Sequence, residues 1–425
     1  MKKTIFLILT FSLIFLLPLA GSLLKWGGLP PGYGEFPAQE AVQDPGFNAT
    51  YFFLACLVGL FIAVFLLFPS CFGFKKTRTV SRMDSVPVPV HAAASPQALA
   101  RLETASASTA ATASAIARKA KLTPSASTGY PLWFWWSLPV LAISWFLTWS
   151  RAINSLEHYT FVPLWWSFIL ILDGFVYKRN AGISLLSSKP NTMKLLAVVS
   201  CFSWFAIEYL NFFVMENWYY PNEHIFTNFG NIFWFSLSYT TVLPAIIEWY
   251  LLLQTLSFFR DRYSYGPKLT ANRPMLIVFY AVGLALAFGM GYWPFELFWV
   301  LWVALIPLLS AAMGLLGYWT PFTPLGRGNW SRLLLIAIAT LFNGFFWEMW
   351  NFGSEWFHDS VPTNPNYWKY SVPYLDKIHI YSEMPILGYY GYLFFGVNCW
   401  VIWLTGAYVF KYDPGFELRD ARRED

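Results

Sequence analysis

The run IFLILTFSLIFLLPLAGSLL, from Ile5 to Leu24, is twenty residues long and contains no charged side chain. A helix rises about 1.5 Å per residue, so about 20 apolar residues span the roughly 30 Å hydrocarbon layer of a bilayer. The whole chain shares this character, because 57% of its 425 residues are hydrophobic and only 12% are charged. Soluble domains carry about 25% charged residues. The composition therefore predicts an integral membrane protein.

Nine further apolar segments follow, each near the length of a membrane-spanning helix. They cover residues 51–72, 131–149, 161–177, 194–215, 231–257, 274–292, 297–317, 332–350 and 384–409. The predicted fold is therefore all-α: a polytopic transmembrane helical bundle of about ten helices.

The distribution of Lys and Arg predicts the orientation of the bundle, since basic residues concentrate in cytoplasmic loops. With the N-terminus inside, 24 of the 28 basic residues fall on the cytoplasmic side; the exceptions are Lys25, Arg151, Lys369 and Lys377. We expect a multi-pass protein of the cell inner membrane with both termini in the cytoplasm. The expected partners are membrane lipids and unidentified subunits. Nucleic acid is not expected, because the basic residues are scattered through short loops.

The chain is expected to comprise five parts. These are an N-terminal transmembrane hairpin (1–74), a low-complexity cytoplasmic linker (75–130), two four-helix units (131–260 and 261–411) and a cytoplasmic tail (412–425). From Thr104 to Ile116 the linker is almost wholly Ala, Ser and Thr, and it lacks the large apolar residues that offset ordering entropy. A signal peptide is the alternative for the first run. A signal peptide would need a small residue three positions before its cleavage site, and Pro-Leu-Ala places Pro18 there. This favours a retained helix instead.

Two stretches of the sequence repeat each other. WFAIEYLNF at 204–212 and GFFWEMWNF at 344–352 both contain E-x-x-N-F near the outer end of a predicted helix. Each is followed by W-x-Y in an outer loop and then by a helix with an early proline, Pro244 or Pro385. Four helices per unit is an even number, so both copies would enter the membrane in the same direction. The pattern predicts a parallel internal duplication of a four-helix unit.

Acidic side chains within or beside the apolar segments are the candidate catalytic residues. An acid at the bilayer centre costs about 2.5–3.5 kcal/mol on insertion scales, so each is expected to face the bundle interior, paired or protonated. An Asn three residues after a Glu lies on the same helix face, so we expect its amide to hydrogen-bond the carboxyl beside a shared cavity. The alternative is that these polar groups only lock helices together. The candidates are Glu208, Asn211, Glu348, Asn351, Glu248 and Glu383.

Aromatic residues surround both motifs and are the candidate ligand-binding residues. Their faces stabilise cations and pack against flat apolar ligands. An interfacial aromatic belt is the alternative. The candidates are Trp204, Trp218, Tyr220, Trp347, Trp350, Trp368 and Tyr370.

No metal site and no cofactor are expected. Glu355 and His358 form a single E-x-x-H, whereas carboxylate-bridged metal sites need two such motifs. The four cysteines lie in apolar segments without metal-ligand spacing, and the five histidines fall in or near loops, which disfavours haem.

The loop and helix motifs together resemble the bacterial and fungal lycopene cyclase domain. The resemblance is carried by Asn217-Trp-Tyr-Tyr-Pro221, by Pro244 with Glu248, and in the second copy by Trp368 to Pro373 and Glu383-Met-Pro385. In that family paired acids follow the proline, whereas here Glu248 comes four residues after Pro244 and Glu383 precedes Pro385. The resemblance implies an apolar isoprenoid bound between the two repeats. It also implies an acid that protonates an alkene and aromatic rings that stabilise the carbocation.

Three classes of function remain open at this point. The first is an isoprenoid- or carotenoid-modifying, cyclase-like enzyme, with the acids as acid/base groups. The second is a transporter or binding subunit for a lipid or other small molecule. The third is a structural or accessory membrane subunit in which the Glu-Asn pairs stabilise packing.

Overall fold

The computed structural model describes residues 2–40, 45–75, 129–150, 152–153, 155–221, 225–356 and 362–418. Most of the predicted linker at 75–130 and the end of the predicted tail at 412–425 lie outside these residues. The described part of the chain is mostly helical, with a single two-stranded ribbon. The predicted all-α membrane fold is confirmed to this extent.

The helices follow the predicted apolar segments closely. Their bounds are α1 Lys2–Trp26, α2 Ala49–Leu67, α3 Leu132–Ser150, α4 Phe161–Arg179, α5 Leu185–Ser188, α6 Pro190–Asn211, α7 Asn228–Tyr239, α8 Val242–Gln254, α9 Ser257–Arg262, α10 Arg273–Tyr292, α11 Val300–Val303, α12 Leu305–Leu315, α13 Ser331–Trp356 and α14 Gly391–Phe410. The strands are β1 Trp218–Tyr219 and β2 Lys369–Tyr370.

Among the described residues, nine helical spans are long and apolar enough to cross a membrane. About ten were predicted. The difference lies at the predicted segment 297–317, which forms the shorter apolar stretch Val300–Leu315, made of α11 and α12. Span length and composition thus support a multi-pass membrane protein.

One of the nine spans is interrupted where α7 meets α8. The hydroxyl of Thr240 donates to the carbonyl oxygen of Leu237 at 2.5 Å, and that of Thr241 donates to Ser238 O at 2.6 Å. Such side-chain bonds compete with the regular helical ladder. Pro244 then lacks the N–H that would continue the ladder across the break. The interruption ends α7 at Tyr239.

Helix α1 packs into the main core. Its close neighbour is α10, and the contact is made through small residues. A Cβ added at Gly291 would lie 2.0 Å from Pro18 O, and one added at Gly21 would lie 2.3 Å from Phe288 O. Close backbone approach through glycine is a common way for helices to associate in membranes.

The centre of the bundle and its edge are clearly different. Helices α8, α13 and α14 bury most of their residues, and they pack against one another in the pairs α8–α13 and α13–α14. Helix α2, in contrast, has no fully buried residue. The core helices therefore carry the fixed parts of the site, while α2 stands at its edge.

Candidate functional site

The first glutamate cluster is centred on Glu208, whose side chain is only 6% exposed. Its Oε1 accepts hydrogen bonds from Trp204 Nε1 at 2.8 Å and from the Tyr239 hydroxyl at 2.9 Å. The Tyr220 hydroxyl also donates to Oε1. Trp218 shares its indole N–H between the carboxyl group, at 3.2 Å, and the Tyr220 oxygen, at 3.1 Å. The carboxyl group therefore joins α6 to the following loop and to α7.

The second glutamate cluster is centred on Glu348, which is completely buried. Its Oε1 accepts from the Tyr370 hydroxyl at 2.7 Å and from the Tyr392 hydroxyl at 2.5 Å. Trp368 Nε1 donates to the Tyr370 oxygen at 2.8 Å. Glu348 Oε2 has no hydrogen-bond partner among the described residues, and the backbone N–H of Met384 lies near the carboxyl group. This cluster joins α13 to the second loop and to α14.

The two clusters are built alike. In each, a Glu inside a helix accepts from the Tyr of a W-x-Y loop and from a Tyr on a later helix. In each, the Trp of that loop donates to the Tyr of the same loop. One difference lies four residues before each Glu, where Trp204 stands in the first cluster and Gly344 in the second. A Cβ at Gly344 would lie 2.5 Å from the ring of Tyr392, so the glycine leaves room for that ring.

The two asparagines hold the loops and do not bond the glutamates, so the expected Asn–Glu hydrogen bonds are not formed. Asn211 Nδ2 donates to Trp218 O at 2.9 Å, and its Oδ1 accepts from Asn217 N at 2.8 Å. Asn351 Nδ2 donates to Trp368 O at 2.7 Å, and its Oδ1 accepts from Trp368 N at 3.0 Å. The prediction failed because an amide near a helix end also reaches the backbone of the chain that follows.

The two loops pair with each other directly. Strands β1 and β2 are antiparallel, with Trp218 opposite Tyr370 and Tyr219 opposite Lys369. Ser371 N also donates to Asn217 O at 2.9 Å. The ribbon therefore fixes the spacing between the two clusters.

A cavity of about 530 Å³ lies beside the ribbon. This volume is within the range of small-molecule sites, about 300–1,000 Å³. The lining is almost entirely apolar and aromatic, and it includes Trp204, Trp218, Tyr220, Tyr239, Trp302, Trp347, Trp368, Tyr370 and Tyr392. Glu208 and Glu348 do not line it. The two carboxyl groups stand behind the tyrosine and tryptophan side chains, so the expectation that they face the cavity is wrong in this respect.

Trp350 is absent from the cavity lining. Its ring packs against Trp165 at 4.9 Å, Phe168 at 5.1 Å and Trp145 at 5.6 Å between ring centroids. It lies on the side of α13 that faces α3 and α4. The other six predicted aromatic residues all line the cavity.

Glu248 lies away from both clusters. It is completely buried in α8 beside Asp173 of α4. Asp173 accepts hydrogen bonds from Trp133 Nε1 at 3.0 Å, Ser184 Oγ at 2.8 Å and Leu186 N at 2.9 Å. These bonds attach α3 and the turn at α5 to α4. The structure therefore places Glu248 in a separate polar contact, outside the cavity.

Glu383 belongs to a polar group at the C-terminal end of α13, formed with Glu355, Tyr367 and Lys369. The buried Tyr367 hydroxyl lies 2.6 Å from Glu355 Oε2 and 3.0 Å from Glu383 Oε1. Lys369 forms an ion pair with Glu355 at 2.8 Å. Burial raises the pKa of Glu383. This side chain does not line the cavity either.

Another carboxyl group outside the spans is close to the first cluster. Glu216 follows α6 with a φ of 55°, and its side chain is 1% exposed with no partner for Oε1. Burial raises its pKa to about 8, and the nearby carboxyl groups of Glu35 and Glu208 act in the same direction. Nothing in the sequence pattern pointed to this residue.

Sequence reasoning also missed Tyr239, Tyr392 and Trp302. Tyr239 is the last residue of α7 and Tyr392 is the second residue of α14, so the positions of these helix ends place both side chains beside a glutamate. The hydropathy of the sequence does not show where these helices end or begin, so it gave no signal for either residue. The predicted E-x-x-H cannot be placed, because His358 lies outside the described residues.

Within the described part of the chain, no group of three or more His, Cys, Asp and Glu side chains is placed to hold a metal ion. Comparisons of this chain with protein families, curated proteins and solved structures found no match.

Proposed function

We propose that this protein binds an apolar, membrane-dissolved molecule of isoprenoid type in the cavity beside the ribbon, and that the two glutamate clusters perform acid/base chemistry on it. The observation that carries the proposal is the lining of the cavity. Its walls are apolar and aromatic, and the hydroxyls of Tyr220, Tyr239, Tyr370 and Tyr392 stand between the cavity and the two carboxyl groups.

The chemistry would use the tyrosines as the groups nearest the ligand. In the reacting state the protonated glutamate would donate to the tyrosine oxygen, the reverse of the hydrogen bond described above, and the tyrosine hydroxyl would point at the ligand. The tyrosine would then give its proton to a ligand double bond, forming a C–H bond and a carbocation, and would take the proton of the glutamate behind it. Ring faces of Trp218, Trp302 and Trp368 would stabilise the cation. Loss of a proton from a neighbouring carbon would return the proton through the tyrosine to the glutamate. The net reaction is an isomerisation or cyclisation, and it consumes no co-reactant.

We also propose that residues 131–260 and 261–411 are copies of one unit with the same orientation. The matching contacts of Glu208 and Glu348, and of Asn211 and Asn351, support this proposal. The same proposal includes the resemblance to the lycopene cyclase domain. It also includes the location in the inner membrane, with both termini in the cytoplasm. The distribution of Lys and Arg supports that orientation.

Packing at the end of the bundle remote from the cavity argues against a transport path. Residues 411–418 fold back under the helices, and Phe416 is 2% exposed against Tyr250 and Trp400. Glu417 accepts from the Tyr250 hydroxyl at 2.6 Å and pairs with Arg332 at 2.7 Å. A path through the bundle would have to displace this segment.

A structural role for the clusters is the second candidate function. It is favoured by one observation, namely that both carboxyl groups stand behind other side chains and link helices to loops. In that case Glu208 and Glu348 would stabilise the bundle, and the cavity would hold ordinary lipid.

The test is mass spectrometry of organic extracts of the protein purified in mild detergent. Wild-type protein should carry an unsaturated apolar molecule enriched over the bulk lipid. Val303→Trp occupies part of the cavity and should carry less of that molecule, whereas Phe202→Trp, at a side chain that is 72% exposed on the outside of the bundle, should carry as much as wild type. Identical extracts from all three proteins would reject the proposed ligand site.

The chemical part needs a second measurement. The extracted molecule is incubated with wild-type protein and with Glu208→Gln and Glu348→Gln proteins. Turnover that disappears in the variants while the molecule still binds supports acid/base chemistry. If wild-type protein binds the molecule without converting it, the proposed enzymatic activity is rejected and the protein is a binding protein.

A further inference from the structure

Helix α2 forms one wall of the cavity through a single stripe of residues. Tyr51, Leu54, Ala55 and Val58 all line it, and their spacing places them on one helix face. Leu54 is 57% exposed and Val58 is 50% exposed although both line the cavity. Leu54 and Val58 are therefore not packed on protein, whereas Tyr51 and Ala55 of the same stripe pack on the cluster of Phe298, Val372 and Leu375.

The attachments of α2 are concentrated at its two ends. At its start, the Tyr51 and Tyr374 rings are 4.5 Å apart, and Asn48 N donates to Tyr374 O at 3.3 Å. At its end, the Tyr263 hydroxyl donates to Leu66 O at 2.8 Å, and Arg262 also reaches the last carbonyls.

Between these ends one contact stands out. The Tyr390 hydroxyl donates to Ala55 O at 3.3 Å, and a Cβ added at Gly59 would lie 3.2 Å from the Tyr390 ring. Tyr390 lies just before α14 and also lines the cavity. It therefore connects the middle of α2 to the fixed part of the site.

We propose that α2 is a movable wall, and that apolar molecules dissolved in the bilayer reach the cavity by passing between α2 and the segment 384–391. The outer face of α2 is formed by exposed apolar side chains such as Phe53, Leu57 and Phe61. Lipid tails are as apolar as these side chains, so separating α2 from the bundle exchanges one apolar contact for another. The closed position depends on Tyr390 more than on buried packing.

The proposed movement of α2 rests on the proposed function in one respect only, namely that the cavity holds a ligand. It can be tested without a ligand. Cys56, Cys71, Cys201 and Cys399 are replaced by Ala, and Val303→Cys then places one thiol on the cavity wall. In liposomes its rate of labelling is measured with N-(1-pyrenyl)maleimide, which partitions into the bilayer, and with a water-soluble, charged methanethiosulfonate reagent.

The expected result is labelling by the pyrenyl reagent and not by the charged reagent. Tyr390→Phe should speed the pyrenyl reaction about fivefold, the factor expected when one hydrogen bond is removed from the closed position. Tyr390→Ala, which also removes the ring, should speed it at least as much. Tyr263→Phe removes a hydrogen bond at the far end of α2 and should leave the rate unchanged.

Three results would overturn the inference. They are equal labelling by the charged reagent, no labelling by either reagent, and the same rate in Tyr390→Phe and Tyr263→Phe proteins. An absent ligand in the extraction experiment would reject the proposed function and leave this labelling result intact.

Discussion

At the scale of single residues, the two glutamates differ in the number of donors that they satisfy. Glu208 accepts from Trp204, Trp218, Tyr220 and Tyr239. Glu348 accepts from Tyr370 and Tyr392 at one oxygen only. An amide oxygen has two lone pairs, so it can replace the carboxyl group of Glu348 more readily than that of Glu208.

Glu208→Gln is therefore expected to destabilise the protein more than Glu348→Gln. Leaving buried donors unsatisfied costs about 1–3 kcal/mol. The measurement is thermal unfolding in detergent, followed by tryptophan fluorescence. Glu40→Gln, at an exposed position, is the control and should leave the midpoint unchanged. Equal midpoints for the two buried variants would contradict the donor argument.

Gly344 gives a sharper test of the second cluster. Gly344→Ala places a methyl group 2.5 Å from the Tyr392 ring, so the ring must move and its bond to Glu348 must lengthen. We expect a loss of about 1–3 kcal/mol in stability, as for other overpacked cores. Gly391→Ala is the matched control, since a Cβ there meets nothing within 4 Å. If both variants melt like wild type, Tyr392 is not tightly held.

Glu216 should make stability depend on pH. Its pKa is raised to about 8 by burial and by the carboxyl groups of Glu35 and Glu208. Below the pKa of the unfolded state, near 4.5, the group is protonated in both states and does not oppose folding. As the pH rises from there through 8, the free energy of unfolding falls, because the folded state holds this proton more tightly than the unfolded state does. Glu216→Gln stays neutral, so it should melt above wild type at pH 8 and near it at pH 4.5. The same difference at both pH values would exclude titration of Glu216.

The sequence supplied the glutamates and much of the aromatic lining. Two E-x-x-N-F motifs indicated Glu208 and Glu348, and the W-x-Y loops indicated the tyrosines bonded to them. It could not supply Tyr239 or Tyr392, because their positions depend on where α7 ends and α14 begins. Asn211 and Asn351 were assigned the wrong partner, since helical spacing says nothing about the backbone of the following loop.

At the scale of elements, the ribbon depends on the two asparagines. Each asparagine satisfies a backbone carbonyl and a backbone N–H of its loop. The hydrogen bonds of Asn211 are buried, and those of Asn351 are part-buried.

Asn351→Ala should therefore loosen the ribbon. Two lost hydrogen bonds cost about 1–3 kcal/mol, and amide hydrogen exchange of residues 368–370 should become faster. Asn211→Ala should have the same effect at residues 217–219. Asn272→Ala is the control. It removes the exposed N-cap of α10, outside the ribbon, and should leave hydrogen exchange at the ribbon unchanged. Unchanged exchange in both site variants would show that strand pairing alone holds the loops.

The helices themselves were easier to predict than their interruptions. Apolar runs of about 20 residues indicate spans whatever their neighbours are. The break at Thr240 and Thr241 depends on side-chain bonds to the helix backbone, and the division of 297–317 into α11 and α12 occurs within an apolar run. Neither leaves a clear mark on hydropathy.

At the scale of the whole molecule, the side of the cavity and the remote end of the bundle are closed differently. Helix α2 closes the cavity with little buried packing. The segment 411–418 closes the remote end with Phe416, with Glu417 and with Lys189, whose ammonium group donates to Gly415 O at 2.6 Å. If the proposals above hold, a molecule in the cavity reaches the bilayer past α2 and not through the bundle.

The thiol of Cys399 can report on this difference. Cys399 is 4% exposed and lines a small void together with Trp403 and Phe416. Phe416→Ala removes the ring that covers the void, so maleimide added in water should label Cys399 in the variant and not in wild type. In this experiment Cys56, Cys71 and Cys201 are replaced by Ala.

A chain ended after Leu418 keeps every described contact of the segment and is the matched control, with Cys399 unlabelled as in wild type. A chain ended after Phe410 loses the segment and should label at least as fast as the Phe416→Ala protein. The ring of Phe416 contacts Tyr250 and Trp400 of the core helices, so Phe416→Ala and the chain ended after Phe410 should both also unfold at a lower temperature. Labelling of wild-type Cys399 at the rate of the variants would mean that this end is already open, and a route through the bundle would then have to be considered again.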